Sequence, residues 1–130
     1  LKVLTSAAAL SVLGADYRAT TTVLRGAEPG QVVLGGGGDL TLSSTPTGDE
    51  SFYDGAAHVD DLADQARAAM GDTPITSVVL DSGYFGGETW EPSWDRKEQT
   101  QGYMPPITAL QVDGARADPY ASTSERSDDP

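Results

Sequence analysis

Few side chains in this sequence are equipped for chemistry, and each can be weighed separately. Lys2 stands at the start of Leu1-Lys-Val-Leu-Thr-Ser-Ala-Ala-Ala-Leu-Ser-Val-Leu-Gly14, a stretch that reads as a helix. The amino end of a helix is already partly positive, so a cation is disfavoured there. A neutral amine at that position, within reach of a hydroxyl, could act as its base. His58 is the only histidine. With no cysteine and no second imidazole, a zinc site is not expected. Composition alone permits a Ser-His-Asp triad, but a histidine near the start of an amphipathic surface helix is expected to be solvated. Asp39 follows a glycine run and Asp81 closes a predicted strand. Acids at such positions cap turns or accept from backbone amides. No spacing marks a glycosidase carboxylate pair. The glycine run itself, residues 35–38, lacks the Gly-Lys-Ser/Thr that would hold phosphate and opens no helix, so it reads as a tight strand exit.

A second group is aromatic. Tyr84, Phe85, Trp90, Trp94 and Tyr103 fall in one predicted loop, residues 81–103. Such a cluster can be a lid packed over the core or the wall of a binding cleft. The residues alone leave both uses open.

The elements that must position these groups follow from periodicity. In the opening stretch Val3, Ala7 and Leu10 fall on one side, and Leu4, Ala8 and Val12 on the next. A helix apolar almost all round is expected in the middle of a fold, and Gly14 supplies its stop. Residues 17–25 and 31–34 read as two strands of a hairpin around Gly26-Ala-Glu-Pro-Gly30. Residues 43–55 read as an exposed polar loop. Val59, Leu62, Ala66 and Met70 form a helical stripe within residues 56–70, with Asp60 and Asp61 in the first turn and Gly71 at the end. The β-branched run 75–80 is predicted to be a buried strand, residues 107–112 a short last strand, and residues 113–130 a linker or disordered tail. The order gives an α/β fold class.

Composition excludes several roles. The net charge is −12, which repels nucleic acid and anionic membrane. The absence of cysteine removes disulfides and thiolate nucleophiles. No apolar run reaches the roughly 18 residues of a membrane span. The sequence opens inside a predicted helix without an N-cap, which leads us to expect a piece of a longer protein.

Several blocks together resemble one family. Residues from Leu1 to Arg18 are similar to the segment after the nucleophile in the D-Ala-D-Ala carboxypeptidase/endopeptidase family, the low-mass class C penicillin-binding proteins. There Ser-x-x-Lys is followed by Leu-Leu-Thr, an Ala-rich helix, Leu-Gly and a Tyr-Arg-Phe-x-Thr-like strand. Gly36-Gly-Gly-Asp-Leu-Thr-Leu42 resembles the family's Gly-Gly-Gly-Asp-Pro-Thr-Leu. Val78-Val-Leu-Asp-Ser-Gly-Tyr-Phe85 resembles its Val-Val-Asp-Asp-Ser-x-Phe strand, and Pro92-Ser-Trp94 with Tyr103-Met-Pro-Pro-Ile-Thr-Ala-Leu110 resembles its Pro-x-Trp and Tyr-x-Ala-Pro-Ile-x-Ala-Leu segments.

The resemblance implies a fold, an activity and roles. Residues 1–20 would begin a serine β-lactamase/transpeptidase-like catalytic domain with a buried active-site helix. Residues 21–112 would be part of an inserted α/β subdomain and a loop facing the active site. The parent would be a serine enzyme that trims peptidoglycan stem peptides through an acyl-enzyme, without a metal or cofactor. It would be acylated by β-lactams and located outside the cytoplasm, in the cell envelope or secreted. Lys2 matches the Ser-x-x-Lys lysine, and the serine would lie three positions earlier. Trp94 and Tyr103 match positions that help hold the substrate's peptide side chain. Asp95, placed by its charge alone, could pair with an amine there. The family's Ser-x-Asn motif is absent, because the chain has no Asn, and Lys97 is followed by Glu98, so Lys-Thr-Gly is absent too. The piece alone is therefore expected to be inert and to need the remainder of the same protein. The alternatives are another Ser-x-x-Lys hydrolase, such as an esterase or β-lactamase, and a non-catalytic cell-wall-binding relative.

Overall fold

The computed structural model describes residues 1–128. The elements run α1 (Lys2–Leu13), β1 (Thr22–Arg25), β2 (Gln31–Gly35), α2 (Val59–Met70), β3 (Ser77–Asp81), α3 (Lys97–Thr100) and a short 3₁₀ turn at Asp113–Ala115. This is the mixed α/β composition expected from the sequence.

The strands form one sheet in the order β1-β2-β3. β1 and β2 make the predicted hairpin, antiparallel, with Val23 opposite Leu34 and Arg25 opposite Val32. Gly30 takes the positive φ, 77°, that the return needs. β3 pairs parallel to β2, Val32 opposite Val78 and Leu34 opposite Leu80. A parallel partner needs a crossover, and α2 supplies it. Side chains paired across the ladders share a face, so Val23, Val32, Leu34, Val78 and Leu80 lie on one side of the sheet, and Leu24, Val33 and Val79 on the other.

α2 forms where its stripe predicts. Asp60 and Asp61 occupy its first turn, and Gly71, at φ 61°, ends it by donating to the Arg67 carbonyl at 3.2 Å. Its apolar stripe faces the sheet across a crevice of about 600 Å³ lined by Val32, Leu34, Leu62, Ala66, Ile75 and Val78, among others.

The glycine run is a crossing point. A Cβ on Gly36 would collide with the Ala109–Leu110 backbone, and one on Gly37 with that of Thr20. Gly38 donates to the Ala109 carbonyl at 2.8 Å, and Asp39 bridges to Leu110. Three segments meet there because the glycine run carries no side chain at the contact.

Several expectations need correction. The buried active-site helix is not what the described residues show: every residue of α1 is exposed, with Val3 and Val12 both at 81%. The helix closes its own hydrogen bonds, from Thr5 N–H to Leu1 and from Gly14 N–H to Leu10. No described element presents an apolar surface against it. β3 is a strand as predicted, but exposed along its whole length. β1 starts at Thr22, leaving residues 17–21 without ladder pairing. Residues 107–112 form no strand; only the single bridge to Asp39 remains, and Ala109, Leu110 and Gln111 are buried beside it. Residues 43–55 are not wholly exposed, because Ser43 and Thr45 are buried. Finally, the stretch expected as linker folds back. Asp113, Gly114 and Ala115 are buried, and Ser127 donates to the Ala115 carbonyl at 2.8 Å. The last two positions of that stretch, Asp129 and Pro130, lie outside the described residues.

Candidate functional site

Lys2 opens α1. Its side chain is exposed and forms no hydrogen bond or ion pair among the described residues, so it is free to meet a group from outside them.

The aromatic loop is ordered by its own contacts. Trp90 is the buried member: its ring meets Trp94 edge to face at 5.7 Å, and its Nε1–H donates to the Trp94 carbonyl at 3.3 Å. The Arg96 guanidinium lies 4.2 Å over the Trp90 ring, a favourable cation–π placement. Trp94 is half-buried against this pair. Asp95 is exposed and accepts the Lys97 N–H at 3.0 Å through Oδ1, which starts α3. Its other carboxylate oxygen has no partner among the described residues. Tyr103 follows α3, held through its N–H to the Glu98 carbonyl at 2.8 Å; the residue is 67% exposed and its hydroxyl has no partner among the described residues. Trp94 and Asp95 are thus adjacent on one ordered loop, with Tyr103 just beyond α3. No hydrogen bond or ring contact among the described residues joins any of them to Lys2. In the aromatic loop Trp90 packs inward, while Trp94 is half-buried and Asp95 and Tyr103 are exposed.

A second polar centre was not foreseen from the sequence. Asp113, 5% exposed, accepts the Ser43 hydroxyl at 2.8 Å, the Ser44 hydroxyl at 2.6 Å and the Ser44 N–H at 3.1 Å. The Ser43 hydroxyl is 3.0 Å from that of Thr45. His58 Nδ1 lies 2.8 Å from the Thr45 carbonyl. A carbonyl only accepts, so Nδ1 carries the proton and donates. His58, expected to be solvated, is half-buried and tied to this network. Its sequence signal was only the Ser43-Ser44-Thr45-Pro46 turn chemistry.

Ser, His and Asp are therefore close together, but not as a triad. A triad needs the imidazole between nucleophile and acid, with its second nitrogen facing the hydroxyl. Here the carboxylate takes the serine hydroxyls directly, and the histidine is bonded to backbone. Asp113 and Ala115 hold positive φ, 54° and 59°. The Asp113 hydrogen bonds, with its N–H to the Leu42 carbonyl at 2.7 Å, keep that turn in place. Beside it Arg116 stacks 3.6 Å over Phe52 and donates to the Tyr53 hydroxyl at 2.6 Å. Arg126 donates to the Gly102 and Gly114 carbonyls at 2.9 and 3.2 Å. Burial first, and the Arg116 charge second, pull the Arg126 guanidinium below its ordinary range. These contacts fasten loops together.

With this geometry in place, comparison settles the class. The model of the D-Ala-D-Ala carboxypeptidase 3 (S13) family matches residues 1–128, and the chain belongs to that peptidase family. Its curated relatives include Carboxypeptidase DacB of Mycolicibacterium smegmatis, 45% identical over 99% of this chain and 28% of that protein. Another is Carboxypeptidase Rv3627c of Mycobacterium tuberculosis, 42% identical over 99% of this chain and 28% of that protein. The chain thus spans just over a quarter of the length of the relatives it matches. No solved structure matches it.

Proposed function

We propose that this chain is part of a serine-type D-Ala-D-Ala carboxypeptidase/endopeptidase that trims peptidoglycan stem peptides outside the cytoplasm. The observation that carries the proposal is the family match over residues 1–128, with Lys2 at the start of α1. In this reading a serine three positions before Lys2 attacks the carbonyl between two D-alanines. Lys2 takes the serine proton and returns one to the leaving D-alanine. Water then hydrolyses the acyl-enzyme. A β-lactam ring is attacked in the same way and leaves the serine acylated. Trp94 and Tyr103 would flank the stem peptide's side chain, and the unengaged oxygen of Asp95 would meet an amine there.

The chemistry uses no metal and no cofactor. Lys2 is one member of the catalytic set; a Ser-x-Asn and a Lys-Thr-Gly motif would come from the rest of the protein. Among the described residues no helix is long and apolar enough to cross a membrane. The test is to label the full-length protein with a fluorescent penicillin and to measure D-alanine release from a peptide ending in D-Ala-D-Ala. Covalent labelling blocked by unlabelled penicillin, with D-alanine release, is the expected result. Turnover of simple esters without D-alanine release would replace this reading with an esterase.

A further inference from the structure

The sheet ends on β3 as an open edge. In a parallel ladder alternate residues turn their N–H and C=O toward the partner strand. Ser77 N–H bonds to the Gly30 carbonyl at 3.4 Å, and the Asp81 carbonyl accepts from Gly36 N–H at 3.0 Å. The odd-numbered residues of β3 therefore face β2. Val78 and Leu80 turn their N–H and C=O outward, where nothing among the described residues bonds them.

This edge lacks the usual protection. Edge strands are blunted by lysine, proline, a bulge or a covering loop. β3 reads Ser77-Val-Val-Leu-Asp81, regular throughout, with Val78 and Leu80 56% and 58% exposed. Its one charge, Asp81, is turned onto the Gly83 N–H at 2.9 Å. A second feature points the same way. The crevice between α2 and the sheet is lined by Val78 on β3, so the apolar interior is open at the same edge. A neighbouring strand would supply hydrogen bonds to the outward groups, and its alternate side chains would close the crevice.

We propose that β3 is an internal strand of a larger sheet, completed by a strand apolar at every second position that comes from the same polypeptide outside residues 1–130. This rests on the reading of the chain as part of a longer protein. The matched relatives carry nearly three quarters of their length beyond the region shared with this chain. A second copy is the poorer occupant, because two chains of net charge −12 repel one another. α1, exposed all round, calls for a covering body of its own, which a single added peptide would not provide.

Residue-resolved amide hydrogen exchange on the full-length protein tests this directly. Val79 N–H, bonded to β2, is the internal standard. Val78 and Leu80 amides are expected to exchange at least about 100-fold more slowly than unstructured amides, at a rate independent of protein concentration. Exchange of both within about 10-fold of unstructured rates, while Val79 stays protected, would overturn the proposal. So would protection that disappears on dilution, which would assign the edge to a second copy. Penicillin labelling of the same preparation reports separately on the catalytic reading: lost labelling with Val78 and Leu80 protected faults the catalysis alone, and labelling with an exposed edge faults the strand alone.

Discussion

α1 and the Asp113 centre reverse the usual relation between composition and burial. α1 is apolar on nearly every side and is exposed from end to end. The segment 42–45 with 110–115 is half polar, yet Ser43, Thr45, Gln111 and Asp113 are among the most buried residues of the chain. The difference lies in partners. Each buried hydroxyl and carboxylate of the centre has a hydrogen-bond partner within the described residues, which offsets its desolvation; Gln111 Nε2 donates to the Pro106 carbonyl, while its Oε1 has no partner there. α1 has no complementary surface there, and a helix of 12 residues is marginal on its own in water. Hydrophobicity states what a segment needs; only the presence of a partner decides whether it is buried.

The contrast can be broken by substitution. Leu42→Ala empties a site 3% exposed beside the centre and should lower stability by about 3 kcal/mol, read as a shift in the urea midpoint. Asp113→Ala leaves the Ser43 and Ser44 hydroxyls without their acceptor and should cost about 2–3 kcal/mol. A loss below about 1 kcal/mol would mean that the polar centre does not hold the loops together. Gly114→Ala forces a Cβ into the Tyr53 hydroxyl at a φ of 60°, and should cost about 1–2 kcal/mol. Leu10→Ala on α1, where Leu10 is mostly exposed, should change the stability of this chain by no more than about 0.5 kcal/mol. A large loss from Leu10→Ala in this chain would contradict the exposed placement of α1, and a large loss only in the full-length protein would show that the helix is covered by residues outside this chain.

The sequence was legible wherever structure is local. The 59–62–66–70 stripe and Gly71 mark α2 within a few residues, and the Thr- and Val-rich run before the Gly26–Gly30 turn marks the hairpin. The family was legible from short blocks in order, Gly36–Leu42 and Tyr103–Leu110 among them. Long-range pairing was not. Nothing in Ser77–Asp81 says whether its neighbour covers it, so a β-branched run was read as buried and is exposed. The Asp113 centre joins residues some seventy positions apart through hydroxyls that carry no periodicity. The turn at Asp113–Ala115 hides its left-handed backbone behind two non-glycine residues. Lys2, Trp94 and Tyr103 match family motifs and Asp95 rests on charge alone; Trp94 and Asp95 share the loop before α3, Tyr103 follows α3, and Lys2 opens α1.

The reading of Lys2 as the base that activates a serine is the central claim. Its most direct test is the rate of acylation of the full-length protein by a fluorescent penicillin, measured for the wild type and for Lys2→Ala, with matched thermal unfolding as the control for folding. A fall of about 10²–10⁴-fold in the acylation rate, with the unfolding temperature unchanged, is the predicted result. An acylation rate equal to that of the wild type would contradict the assignment.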